Sequence, residues 1–192
     1  MQYLQAICGG WKMKLYLLSL FVVLMFTAGS GLASQTSIQS GLKPIGSGEI
    51  RYMGIIKVYD ASLSASREGT GDQILDKDIS KCLNLHYAVS LTRDKFIRGA
   101  EMVLQRQHSK EALQSVQQHI EVLHAKYRDV QEGDSYSLCY DAPSRTTTLS
   151  LNSEKLVSIA SVDFARLYFG IWLGADAPID KNLRSDLLAT NR

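Results

Sequence analysis

An α+β domain, an antiparallel sheet with helices gathered on one face, is the fold class this sequence predicts, and three observations predict it. Leu83, Leu85, Tyr87, Val89 and Leu91 alternate with Asn84, His86, Ala88 and Ser90, which puts every large apolar group on one face of a strand. After Thr92 come two apolar stripes at helical spacing. The first is Phe96, Ala100, Val103 and Leu104; the second is Leu113, Val116, Ile120, Leu123 and Tyr127. Short alternating runs then follow Gly133-Asp134, and two further helical patterns close the chain. Strands, a helical pair, more strands and a terminal helical pair is the order of a sheet covered on one side.

The chain opens differently. Lys12 and Lys14 precede an apolar run from Leu15 to Phe26 broken only by Ser19, and small residues lead to Gly31-Leu32-Ala33 before Ser34. This is the charged, apolar, small-residue order of a cleaved export signal, and the run is shorter than the ~20 residues that span a bilayer. The expected division is a signal peptide over 1–33 and one domain over 34–192, periplasmic or secreted, with no stable membrane anchor after cleavage. The whole chain carries 21 basic and 19 acidic side chains. Without Lys12 and Lys14 it carries 19 of each over 159 residues, enough for one core. A neutral domain without basic runs has no field to collect nucleic acid, so no nucleic-acid partner is expected.

Within the domain, residues 34–48 read as a flexible lead-in and a turn. A long strand follows from Glu49, with a bulge near Gly54, and residues 66–80 form a polar loop. Thr92 is placed to cap the first helix, and Gln107-His108-Ser109 breaks it from the second. Tyr136, Leu138 and Tyr140 alternate in one strand, Thr146 to Leu151 make the next, and Asn152-Ser153 turns the chain onto Leu156 to Ala160. Asp163 is placed to cap Phe164 to Leu173, apolar nearly all round and therefore buried, and Asp180 to cap a last helix carrying Leu183, Leu187 and Leu188. Cys82 and Cys139 lie on the less apolar faces of their strands. A bridge needs neighbouring strands with Cα atoms about 4.4–6.8 Å apart, and two separate half-buried thiols are the expectation. His108, His119 and His124 lack the spacing of a helical metal pair and read as surface residues, so neither metal nor cofactor is expected.

Several motifs, taken in order, resemble chalcone isomerase-like proteins, specifically an exported bacterial branch of that superfamily. They are Gly46-Ser-Gly-Glu-Ile-Arg51, Gly54-Ile-Ile-Lys-Val-Tyr-Asp-Ala-Ser-Leu63, Val162-Asp-Phe-Ala-Arg-Leu-Tyr-Phe-Gly-Ile-Trp-Leu-Gly174 and Leu183-Arg-Ser-Asp-Leu-Leu188. The resemblance implies an open-faced β-sandwich, a large antiparallel sheet with a helical layer. It also implies where a catalytic cleft would sit. The family's arginine falls on Arg51, its first threonine near Gly54, its tyrosine on Phe96, its asparagine on Val103 and its late hydroxyl near Ile171. Four of those five polar groups are thus glycine or apolar here, and losing a single oxyanion donor costs ~10²–10³ in rate.

A cleft that keeps a cation and loses its hydroxyls suits an apolar ligand with a carboxylate, as the fatty-acid-binding branch implies. The expected ligand-binding residues are Arg51, Tyr52, Phe96, Val103 and Ile171, with Arg51 as a planar fork for the carboxylate and no catalytic residue. An isomerase or lyase of another substrate, using Arg51 with Tyr52 or Tyr59, is the rival. An envelope interaction module without a small-molecule site is the third reading.

Overall fold

The chain reverses at Met53-Gly54, where the expected break in the strand is a tight turn and not a bulge. In the computed structural model, which describes residues 41–69 and 71–189, strand β1 (Lys43–Tyr52) turns back into β2 (Ile56–Ala65). Met53 and Gly54 have φ of 52° and 72°, and the Ile55 amide donates to the Tyr52 carbonyl at 3.1 Å, the two-residue turn that suits strand twist. The register shifts twice: Ile45 is the extra residue on β1 between Pro44 and Gly46, and Val58 is the extra residue on β2 opposite the Ile50–Arg51 step.

The chain divides into two units, Met1–Ala33 and Ser34–Arg192. The leader, its cleavage point and the first part of the expected lead-in lie outside the described residues; the rest of that lead-in is not a turn, since β1 already runs from Lys43. Every described element belongs to the second unit, which holds a core of its own.

Six strands form one antiparallel sheet in chain order: β1, β2, β3 (Lys81–Tyr87), β4 (Ser135–Asp141), β5 (Thr146–Leu151) and β6 (Glu154–Ala160). Strand β3 stops at Tyr87, short of the alternation in the sequence. There the chain turns, and Leu91 rejoins only through a bridge to Val130. Register fixes the faces. Gly48, Ala61, Leu85, Tyr136 and Leu151 share one row, as do Ile50, Tyr59 and Tyr87. These rows form the core face. The other face carries Ser62, Asn84, Ser137 and Ser150, or Asp60, His86 and Ser135.

Four helices complete the domain: α1 (Arg93–Gln107), α2 (Lys110–His124), α3 (Val162–Leu173) and α4 (Lys181–Leu188). Ser109 accepts from the Ala112 amide and caps α2; Asp180 accepts from the Leu183 amide at 2.8 Å and caps α4. Two other caps differ from expectation. Ser161, not Asp163, accepts from the Phe164 amide, because the helix begins at Val162 and puts the serine at the N-cap. Thr92 occupies its N-cap without a side-chain cap bond, and the Arg93 amide donates instead to Asp129 at 2.7 Å. Helix α3 is buried from Phe164 to Leu173 apart from exposed Arg166 and half-buried Leu167. Helix α4 crosses β1 so closely that a Cβ on Gly46 would stand 2.2 Å from the Asp186 carbonyl oxygen. Among the described residues no helix is long and apolar enough to cross a membrane.

Three other expectations need correction. Cys82 and Cys139 are disulfide-bonded. They stand directly opposite on β3 and β4, a pairing that strand order determines and spacing alone does not. The polar loop over 66–80 contains a short 3-10 turn, Gly71–Leu75, with Ile74 and Ile79 buried. Beneath it Lys81 is buried, donating to the Asp76 and Ile79 carbonyls at 3.1 and 2.8 Å over the Tyr140 ring, and burial pushes its pKa down to about 8.

His124 is the third correction: it is buried, not on the surface. Burial, with Arg93 adding to it, lowers its pKa to about 4. The Glu101 carboxylate stands 3.9 Å away and is half exposed. Between about pH 6.5 and the folded value near 4, the unfolded chain binds a proton that the folded one refuses. Stability is therefore lost as pH falls through that window, by about 2 kcal/mol, the residual solvation of the ring discounting the full shift. Urea unfolding of the wild type and His124→Gln at about pH 7 and about pH 4.5 checks this, since the glutamine variant should lose most of the difference.

Candidate functional site

Between the core face of the sheet and the helices lies an apolar cavity of about 250 Å³. Its floor is the sheet: Tyr59 from β2, Leu83, Leu85 and Tyr87 from β3, Tyr136 and Leu138 from β4. Its roof comes from two helices. Lys95, Phe96, Gly99 and Ala100 recur one turn apart on α1, and Ile171 and Trp172 face in from α3. Ile50 and Val58, at the root of the β1–β2 hairpin, close one side, with Leu91 and Ile179.

Aromatic rings give the wall its rigidity. Tyr87 meets Tyr59, Phe96 and Tyr136 edge-on, with centroids 5.6, 5.4 and 6.2 Å apart, and Phe96 stacks on Tyr127 at 5.5 Å. Most of the hydroxyls are committed. Tyr127 bonds Tyr168 at 2.9 Å, Tyr168 reaches His124 Nε2 at 3.3 Å, and Tyr136 bonds the Arg128 backbone. Tyr59 accepts from the Trp172 indole at 3.2 Å. The Tyr87 hydroxyl has no hydrogen-bond partner among the described residues. Burial pushes the Tyr59 phenol up to about 12 and Tyr87 well above its ordinary value, so both stay protonated as neutral donors. The cation on the wall is Lys95. It is exposed, and its ammonium makes no ion pair or hydrogen bond to any described side chain.

The residues singled out from sequence divide in two. Phe96 and Ile171 line the cavity together. Val103 is buried in the core beside it and is not on the wall. Arg51 and Tyr52 lie outside: Arg51 is exposed at the end of β1, where it pairs with Glu49 and donates to the Ile55 carbonyl at 3.1 Å. Alternation along β1 separates them: Ile50 faces the cavity, its neighbour Arg51 faces the other side, and Tyr52 stands exposed at the hairpin tip. Lys95, Tyr87 and Trp172 were missed as site residues. The first had a legible signal, because Lys95 and Gly99 share a helical face one turn apart.

The fold and site define a class: a single sheet, one face roofed by helices, with a partly open apolar cavity between the layers. The chain belongs to the chalcone isomerase-like family, whose profile matches residues 26–189. Among solved structures it is similar to the crystal structure of a fatty-acid binding protein from Arabidopsis thaliana, with a TM-score of 0.55 and 18% identity over 77% of this chain and 87% of that one. At that identity the likeness is one of fold. No curated protein matches the chain in sequence.

Proposed function

We propose that this is an exported, non-catalytic binding protein that takes one small, largely apolar ligand in the cavity, a medium-chain fatty acid. The observation that carries the reading is the cavity itself: partly open, walled by apolar and aromatic groups, with a single unpaired cation on its wall. An apolar cavity of ~150 Å³ stays dry and takes a six-carbon ring, so by proportion this one holds roughly ten carbons. A longer chain would leave its end outside. Lys95 meets the carboxylate at the rim, where water still screens both charges.

The wall supports the non-catalytic part. It offers no carboxylate, imidazole, thiol or serine, and its phenols are too weakly acidic to act as bases near neutral pH. The leader pattern and the Cys82–Cys139 bridge both favour an oxidising compartment outside the cytoplasm. The Arabidopsis protein of the same fold is a fatty-acid binding protein, which points to the same ligand class.

Calorimetry with decanoic acid and decanol tests the head group. Lys95→Met should weaken the acid roughly threefold to tenfold, the modest range of a screened pair, and leave the alcohol unchanged. Arg51→Ala should change neither. A loss of acid affinity on Arg51→Ala with none on Lys95→Met would move the head group to the hairpin.

A further inference from the structure

The β1–β2 hairpin tip is exposed in a way that neither folding nor packing explains. Tyr52, Met53, Ile55 and Ile56 are 61, 80, 78 and 53% exposed, four large apolar groups around one turn. Pairing of β2 with β3 begins only at Tyr59, so the tip stands beyond the sheet as a two-stranded ribbon. A turn of this type favours asparagine or glycine where Met53 sits at a φ of 52°. Met53 is thus retained against local backbone preference, with its side chain in water.

We infer that this tip docks on a lipid bilayer surface and holds the cavity against the membrane. Three observations choose a bilayer over another protein. The tip is convex and narrow, so it offers a wedge and no groove for a partner to fill. Its order is Arg51-Tyr52-Met53-Gly54-Ile55-Ile56-Lys57. Cations flank an amphipathic tyrosine and an apolar apex, the layering of phosphate, interface and acyl region in a membrane. The acidic partners of those cations, Glu49 and Asp60, hold them only by exposed ion pairs, which contribute little and exchange readily for lipid phosphates. Finally, the ribbon's root is cavity wall, because Ile50 and Val58 line it. A tip seated in the interface brings the cavity rim to the bilayer, where an acyl ligand already partitions. The overall charge balance does not oppose this, since burial of apolar side chains, not a long-range field, drives the seating.

The test uses protein beginning at Ser34, the unit that carries its own core. Co-sedimentation is measured with vesicles of phosphatidylcholine mixed with phosphatidylglycerol. Met53→Asp with Ile55→Asp should weaken binding roughly tenfold or more, and Ile55→Trp should strengthen it. Both variants should keep the wild-type unfolding midpoint, since the tip is exposed. The inference is overturned if the wild type stays in the supernatant, if the double aspartate variant sediments equally, or if the tip instead mediates a dimer that the variant dissolves. Decanoic acid binding by the same proteins is measured separately in solution, so ligand binding and membrane docking can fail independently.

Discussion

Replacing both bridge cysteines, Cys82→Ala with Cys139→Ala, is expected to lower the unfolding free energy by about 4 kcal/mol. The bridge closes a loop with a sequence separation of 57 that contains α1 and α2, so it restricts the unfolded chain over much of the domain. The two residues are cross-strand partners on the polar face, away from the cavity, and ligand affinity at neutral pH should survive the change. At roughly 2–4 °C per kcal/mol for a domain of this size, thermal unfolding should move down by roughly 8–16 °C. A reducing agent should move the wild type by a similar amount and leave the variant alone. A variant with the wild-type midpoint would show that the pair restrains nothing.

Gly99→Leu should have the largest effect on binding, and it should do so while stabilising the protein. Gly99 lies within α1 and lines the cavity, and a Cβ built on it meets nothing within 4 Å. Replacing a helix-interior glycine adds about 0.5–1 kcal/mol of stability. The larger side chain occupies space the ligand needs, so affinity for decanoic acid should fall roughly a hundredfold, about 2.7 kcal/mol. Gly99→Ala should give a similar stabilisation and retain most of the binding. Loss of binding through damage to the fold would lower the urea midpoint, whereas blockage predicts that it rises.

The sheet and helices were legible because their signals are local. The alternation from Leu83 to Tyr87, the stripe from Leu113 to Tyr127 and the Asn152-Ser153 turn each follow from side chains a few residues apart. What was hidden depends on register and close approach. The Cys82–Cys139 bridge requires knowing that β3 and β4 are neighbours. The burial of His124 depends on α2 packing beside Tyr168, which no periodicity in α2 alone reveals.

The site was half legible for the same reason. Phe96 and Ile171 followed from the family motif and do face the cavity. Arg51 followed from the same motif, but it adjoins Ile50 on β1, and once Ile50 is known to face the cavity alternation puts Arg51 on the opposite face. The strand pattern put Tyr87 on the core face without showing that its hydroxyl would lack a partner.

Trp172 supplies the most direct measurement. The sequence has two tryptophans, and beginning the protein at Ser34 removes Trp11, leaving Trp172 on the cavity wall as the sole indole reporter. Titration with decanoic acid should change its fluorescence saturably at a single site, and Gly99→Leu should abolish the response over the same range. A tryptophan signal that is unmoved, or that drifts in proportion to added ligand without saturating for any chain length, would contradict binding in this cavity.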